Sequence, residues 1–232
     1  MQLFYSPEIV NDVNTLNNDE SNHCISVLRK NVGDTIFLID GIGFFYKATI
    51  LNISKKNVIF RVIDKWPSTP RSYKLHIAIS PLKSNSRFEW FLEKAVEIGI
   101  DEITPIICDY SQRKLLKTSR MYKVLLAASK QSLQAKLPTI NPLVKLKDFL
   151  KLNHTNNCLI AHFTKELKIN LTSLASLNSL ILIGPEGGFS DNEINQAIKN
   201  KFKPVSLGNS RFRSETAGII ACHTLSLKYE NI

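Results

Sequence analysis

The stretch Leu180 to Glu193, LILIGPEGGFSDNE, decides the fold class. Its first four residues are uniformly apolar, as in a short strand buried on both faces. Gly-Pro-Glu-Gly-Gly then ends the strand, and Ser190 with Glu193 has the S-x-x-E spacing of a capping box, which starts a helix. Strand, glycine loop and helix in that order are the parts of a βαβ unit.

The surrounding sequence repeats the alternation. Strands are expected at Tyr73–Ser80, Ile103–Cys108, Cys158–Phe163 and Pro204–Leu207. Helices are expected at Ser84–Gly99, Ser119–Ala135, Asp191–Lys201 and Ser214–Lys228. The first carries Phe88, Phe91, Leu92, Ala95 and Val96 on one face, and the second carries Met121, Val124, Leu125 and Ala128. Strands alternating with helices imply a mostly parallel sheet covered on both faces, hence an α/β domain.

Upstream the pattern is different. Thr35–Asp40, Phe44–Ile53 and Val58–Ile63 are strand runs separated by Gly41-Ile42-Gly43 and Ser54–Asn57, which predicts a small antiparallel barrel or sheet. One helix is expected before it, from Asp19 to Lys30. Between the halves, Pro67 and Pro70 mark a connection, so the chain divides into 1–68 and 72–232.

In open parallel sheets, ligands bind beyond the carboxyl ends of the strands. Three loops hold that position: Ala161–Thr164, Gly184–Ser190 and Leu207–Thr216. In the middle one, Gly187 and Gly188 permit positive φ and a close backbone approach to a ligand. Glu186 is an acid within a glycine loop, suited to a cation or a backbone donor. In the third, LGNSRFRSETAG, Ser214 is expected to cap the last helix, and Arg213 presents charge at the strand ends to a ligand or an RNA phosphate.

Several chemistries are excluded. There is no G-x-x-x-x-G-K-[ST] and no G-x-S-x-G, and the nearest approach to G-x-G-x-x-G, at Gly41, lacks its third glycine. Cys24, Cys108, Cys158 and Cys222 are scattered, with no histidine at metal spacing, so free thiols and no metal site are expected. Of five histidines only His162 sits in a strand-end loop. No segment has the roughly 20 apolar residues of a membrane span and no leader precedes the first strands, so a cytoplasmic protein is expected. The 232 residues carry 30 Lys and Arg against 20 Asp and Glu, a formal charge of +10, which favours an anionic partner, with nucleic acid first among them.

With these residues in view, IGPEGGFS (Ile183–Ser190) and LGNSRFRSETA (Leu207–Ala217) resemble the paired signature of the RsmE family, 16S ribosomal RNA uridine-N3 methyltransferases of the SPOUT class. RFEWFLEKAVEIGIDEITPI (Arg87–Ile106), KQSLQAKLPTI (Lys130–Ile140) and HCISVLRKNVGD (His23–Asp34) are similar to further segments of that family. The resemblance implies a PUA-like RNA-binding β-barrel followed by a SPOUT domain with a parallel sheet and a trefoil knot. It implies S-adenosyl-L-methionine as cofactor, held by His162, Phe163, Ile183, Gly184, Glu186, Gly187, Gly188, Leu207, Gly208, Ser214, Thr216 and Ala217. It further implies a homodimer acting on 16S rRNA or the small ribosomal subunit, with Arg213 and Glu215 in the catalytic roles. Arg29, Lys30, Lys83, Arg87 and Arg113 are the RNA contacts expected from charge and segment. Two departures stand out: Ser210 followed by Arg211 where the family has arginine at the earlier place, and Lys130 where it has an acid. A SPOUT enzyme acting on transfer RNA and a non-catalytic RNA-binding module are the competing readings.

Overall fold

The computed structural model describes residues 1–54, 57–155, 157–162 and 169–230. By their contacts these residues form two compact units, Met1–Pro70 with Leu126–Leu137, and Arg71–Leu125 with Pro138–Ile232.

The N-terminal unit is a five-stranded mixed sheet. Its strands are β1 (Leu3–Tyr5), β2 (Val13–Thr15), β3 (Thr35–Ile39), β4 (Phe44–Ile53) and β5 (Val58–Pro67), in the order β1-β3-β4-β5-β2. β1 lies parallel to β3 and the other pairs are antiparallel. The two outer strands, three residues each, are too short to leave a periodic signal and go unseen in the sequence. Alternation along β3 to β5 puts Ile36, Leu38, Tyr46, Ala48, Ile50, Val58 and Phe60 into one core. The last strand, expected to end at Ile63, is longer. β5 runs on to Pro67 because that proline is the last residue of the ladder, and Trp66 stacks on Phe45 at 5.8 Å.

The turn from β3 to β4 is closed by Asp40, whose Oδ1 accepts the backbone N–H groups of Ile42, Gly43 and Phe44 at 2.9, 3.1 and 3.0 Å. The expected helix from Asp19 to Lys30 is shorter. α1 spans Asn18–Asn22, a π-turn follows over His23–Val27, and Arg29 at φ 51° ends it. Asn17 caps α1 by accepting from the Glu20 N–H at 2.9 Å.

The second unit carries β6 (Lys74–Ile79), α2 (Asn85–Ile98), β7 (Glu102–Ile107), α3 (Thr118–Gln131), β8 (Thr139–Ile140), β9 (Val144–Lys145) and α4 (Leu146–Phe149). It continues with β10 (Asn157–Ala161), α5 (Leu171–Leu174), β11 (Asn178–Ile183), α6 (Asp191–Lys199), β12 (Lys203–Val205) and α7 (Ser214–Tyr229). The second half of α3 belongs by contacts to the N-terminal unit. The sheet runs β12-β10-β11-β6-β7-β8, with β9 also on β7, and every pair is parallel. β6 and β11 are buried along nearly their whole length, which is why LILI shows no alternation. Met121, Leu125 and Ala128 of α3 are buried, and so is the whole expected stripe of α2.

Helix ends follow local chemistry. α2 stops at Gly99, φ 124°, a conformation that glycine adopts without strain. α6 begins with a complete capping box: Ser190 Oγ accepts the Glu193 N–H at 3.2 Å and Glu193 Oε2 accepts the Ser190 N–H at 2.9 Å. Gly218 of α7 faces Phe91 of α2, where a Cβ would lie 2.5 Å from the ring. The two helices therefore meet closely, with α7 lying over the interior strands β6 and β11.

Candidate active site

The carboxyl ends of β10, β11 and β12 lie side by side, and the loops leaving them enclose a cavity of about 510 Å³. Ala161 and His162 line it from β10, Ile183 to Phe189 from β11, and Ser206 to Phe212 without Asn209 from β12. Asp191 and Ile194 of α6 and Ser214 and Ala217 of α7 complete it. The volume is typical of sites for a cofactor-sized molecule.

Its walls are shaped mainly by backbone. Gly188 N–H bonds to the Pro185 carbonyl at 2.8 Å, closing a tight turn over Glu186 and Gly187, and the chain leaves that turn through Gly188 at φ 80°, in the left-handed region that favours glycine. Gly187 has no positive φ; a Cβ there would meet Tyr110 Cβ at 3.0 Å, a contact that the tyrosine or the loop would have to relieve by a few tenths of an ångström. Gly187 lines the cavity, and of this pair only Gly188 supplies the left-handed backbone. Gly208, φ 146°, is held by Ser206, whose Oγ accepts its N–H at 3.2 Å and donates to its carbonyl at 3.0 Å.

The start of α7 is built differently from expectation. The residue in the cap position is Arg213, which makes no side-chain cap, and Ser214 is the first helical residue. Its hydroxyl donates to the Gly184 carbonyl at 2.7 Å, so the serine ties the last helix to the glycine loop instead of closing its own helix end.

Glu186 folds back toward the protein. Its Oε1 accepts the Lys83 backbone N–H at 3.1 Å, and its buried Oε2 has no hydrogen-bond partner among the described residues. A buried carboxylate oxygen left unpaired is costly, and it marks a position where a cationic or N–H-bearing ligand would be favoured. His162 is held below the ordinary imidazole pKa by desolvation, so it lines the cavity as a neutral ring at neutral pH. Asp109 braces the far side of the loop: its Oδ2 accepts from Ser190 Oγ at 2.6 Å and its N–H donates to Glu193 Oε1 at 2.8 Å.

Of the residues expected around a cofactor, His162, Ile183, Gly184, Glu186, Gly187, Gly188, Leu207, Gly208, Ser214 and Ala217 share this cavity. Thr216 does not line it, and Phe163 lies outside the described residues. Arg213, Glu215 and Thr216 line a separate depression of about 290 Å³, together with Ser86, Arg87 and Trp90 of α2. Arg87 Nε stands 3.9 Å from Glu215 Oε1, which joins one residue expected to contact RNA to one expected in catalysis.

Arg211, whose place the shifted spacing left undefined, lines the large cavity. Lys130 lies in the other unit, where its ammonium meets Glu20 Oε1 at 2.6 Å, so the basic replacement there neutralises a buried acid. Arg113 donates to the Lys83 carbonyl at 2.8 Å and to Asn85. Pro185, Phe189, Ser206 and Phe212 are wall residues not expected at the site from sequence, and Ser210, noted there only as a departure from the family pattern, joins them. All but Ser206 sit inside the two motifs already identified, and adjacency is the available signal. Among the described residues no group of three or more His, Cys, Asp or Glu is placed to hold a metal ion, and no helix is long and apolar enough to cross a membrane. The four cysteines are unbridged, three of them buried and Cys158 partly so.

Comparison with known proteins decides the family. Residues 69–226 match the RNA methyltransferase domain family and residues 16–63 match the RNA methyltransferase PUA domain. Ribosomal RNA small subunit methyltransferase E of Mesomycoplasma hyopneumoniae is 32% identical over 225 residues, covering 94% of this chain and 96% of its own. The chain belongs to the RsmE family of RNA methyltransferases. Similar proteins of known structure superpose over almost their whole length. A probable rRNA methyltransferase from Porphyromonas gingivalis gives a TM-score of 0.91 at 36% identity, covering 99% of each chain. Ribosomal RNA small subunit methyltransferase E from Neisseria gonorrhoeae, solved with bound S-adenosyl methionine, gives 0.87 at 26% identity, covering 99% and 98%. The RsmE fold is thus the fold of this chain: a mixed N-terminal sheet and a parallel SPOUT sheet whose strand ends carry the family's paired loops.

Proposed function

We propose that this chain transfers a methyl group from S-adenosyl-L-methionine to N3 of a uridine in 16S rRNA of the small ribosomal subunit, in the cytoplasm. The observation that carries the reading is the joining of GPEGGFS and LGNSRFRSETA in one cavity at the ends of three adjacent parallel strands, with Ser214 bonded to Gly184 across them.

The cavity suits that cofactor on its own chemistry. It offers backbone groups to a ligand that is a sulfonium cation and an amino acid, and the Glu186 carboxylate, whose unpaired oxygen is buried in the wall, adds negative charge beside it. Arg211 supplies a guanidinium for the amino-acid carboxylate. Gly184, Gly187, Gly188, Leu207 and Gly208 with His162 and Ile183 would wrap the remainder, and Ala217 and Ser214 form the wall at α7. When bound, the cofactor supplies a methyl group activated on sulfur.

The chain must hold N3 in line with that methyl and favour loss of the N3 proton, since the imide nitrogen is a weak nucleophile while protonated. Arg213 stabilises negative charge on a uracil oxygen, and Glu215 holds the arginines about it. Residues 1–68 bind RNA as a PUA-like barrel, and Arg29, Lys30, Lys83, Arg87 and Arg113 meet the phosphates, consistent with the charge of +10. The reading also includes a trefoil knot within 72–232 and association of two copies, as the resemblance implies.

Two measurements test it. Calorimetry should give one cofactor site per chain, and 16S rRNA from a deletion strain should lack one methyl on a uracil ring by mass mapping. Arg213→Ala should lose methylation at least 100-fold while leaving cofactor affinity within a few-fold. An intact methylation map in the deletion strain overturns the function.

A further inference from the structure

The depression built on α2 and the start of α7 is chemically unlike the cofactor cavity. It is lined by three charged groups, two hydroxyls and one large aromatic ring. Trp90 lies off the buried stripe of α2 and is 45% exposed, whereas its neighbours Phe88 and Phe91 are buried. Glu215 is the opposite case: its side chain is 8% exposed, yet Oε2 has no hydrogen-bond partner among the described residues and Oε1 meets only the 3.9 Å contact from Arg87. The helix start beside it has no side-chain cap at Arg213, so the first-turn N–H groups and the positive end of a 16-residue helix face this region.

We propose that this depression receives the target nucleobase, with the Trp90 indole as its stacking platform and Glu215, Arg87 and Arg213 reading the edge of uracil. The inference rests on the function proposed above. An imide edge presents an acceptor, a donor and an acceptor, from O4, N3–H and O2. The lining offers the complement, the Glu215 carboxylate for N3–H and two guanidinium donors for the carbonyl oxygens; the carboxylate takes the N3 proton and withdraws with it, which leaves N3 free to meet the methyl. Cytosine presents a donor, an acceptor and an acceptor, from N4, N3 and O2, so it sets the N3 lone pair against the carboxylate and an amino donor against a guanidinium. That mismatch leaves buried polar groups unsatisfied, which is the strongest available form of discrimination between such similar rings. A base drawn out of RNA loses its neighbours, and an exposed indole replaces one stacking face. Thr216 and Ser86 give hydroxyls at the rim.

The test uses Trp66→Phe as the parent, since the chain has two tryptophans and this change leaves Trp90 as the sole indole reporter. Two short RNA oligonucleotides, identical except for a central U or C, are titrated with cofactor present. The U oligonucleotide should quench the Trp90 emission and bind at least tenfold more tightly than the C form. Trp90→Ala should lower kcat/KM on rRNA about 5- to 150-fold, the loss of one base–aromatic stack. Trp90→Phe should recover most of that loss, and cofactor affinity should stay within twofold in both. Glu215→Gln should reduce the U-to-C preference to below threefold. Wild-type methylation combined with unresponsive Trp90 emission, or with an unimpaired Trp90→Ala variant, overturns the subsite alone. A dimer that falls to monomers on Trp90→Ala also overturns it, by placing the indole between two copies. A parent that neither binds cofactor nor methylates rRNA overturns the function and the subsite together.

Discussion

Replacing Gly218 with alanine should destabilise the second unit, although alanine is the better helix former. Gly218 is an interior residue of α7, and there the exchange would by itself gain about 1 kcal/mol in helix propensity. The added Cβ, however, would lie 2.5 Å from Cε2 and 2.8 Å from Cδ2 of Phe91, with Ile79 Cδ1 at 3.4 Å. Carbon atoms rest at about 3.5–4.0 Å, so ring or helix must move by roughly 1 Å. The ring has nowhere to go: Phe91 is fully buried and packs on Phe88 with centroids 6.0 Å apart. Overpacking of this kind costs about 2–3 kcal/mol, the upper part of its usual range. The net loss is therefore about 1–2 kcal/mol, a fall in Tm of roughly 2–8 °C for a protein of this size. Thermal unfolding followed by circular dichroism would measure it. Phe91→Leu added to Gly218→Ala should cost less than the two separate losses combined, because the smaller side chain vacates the space. A Gly218→Ala protein with a Tm at or above wild type would refute the steric argument. The same displacement would spread the walls carrying Trp90, Arg87 and Glu215, so methylation should fall more than stability predicts.

Three further outcomes follow from the geometry. Gly187→Val should weaken cofactor binding at least tenfold by calorimetry, because Tyr110 Cβ stands 3.0 Å from the added Cβ and the loop must shift into the cavity. Ser190→Ala should cost about 1 kcal/mol in urea unfolding, because it removes the capping box together with the hydrogen bond from Ser190 Oγ to Asp109. His76, hydrogen-bonded to Thr104 at 2.7 Å, is pushed by burial from its ordinary 6.5 down to about 4, against the opposing pull of Glu102. The unfolded chain then binds the extra proton first, so its contribution to stability is complete above pH 6.5 and is lost as pH falls toward 4. His76→Gln should flatten the stability profile in that window, and an unchanged slope would remove His76 as its source.

The parts of the site legible in the sequence are those whose chemistry is local. Ser190 and Glu193 are three residues apart and cap each other through bonds that any helix start would form, so their role is readable without any knowledge of the fold. Gly99 as a helix stop, the unbroken apolar run of LILI and the buried stripe of α2 are of the same kind. Ser214 shows the limit. Its position also suits a helix cap, but the hydroxyl bonds the Gly184 carbonyl 30 positions away, and no local pattern distinguishes the two outcomes. Gly187 is similar: the side chain that a Cβ there would meet belongs to Tyr110, 77 residues earlier in the chain, and nothing in the local sequence names that neighbour. β1 and β2 escape notice because three-residue strands hold too few alternations to be recognised.

Local pattern is therefore enough to establish that a β unit precedes a parallel α/β unit and to point ligand chemistry at the glycine and arginine loops, whereas the parallel pairing of β1 with β3, which makes the first sheet mixed and not purely antiparallel, comes only from the fold. The family is legible as well, through motifs specific enough to be matched. Which side chains share a cavity is settled only when the chain is folded. Folding sets Ser214 and Ala217 against the glycine loop, Arg213, Glu215 and Thr216 against Arg87 and Trp90, and Lys130 against Glu20. Periodicity, capping and turn preference act over a few residues along one segment. Which wall of which cavity a residue joins depends on strand order and on the helices meeting across Gly218 and Phe91, separations of tens to more than a hundred residues.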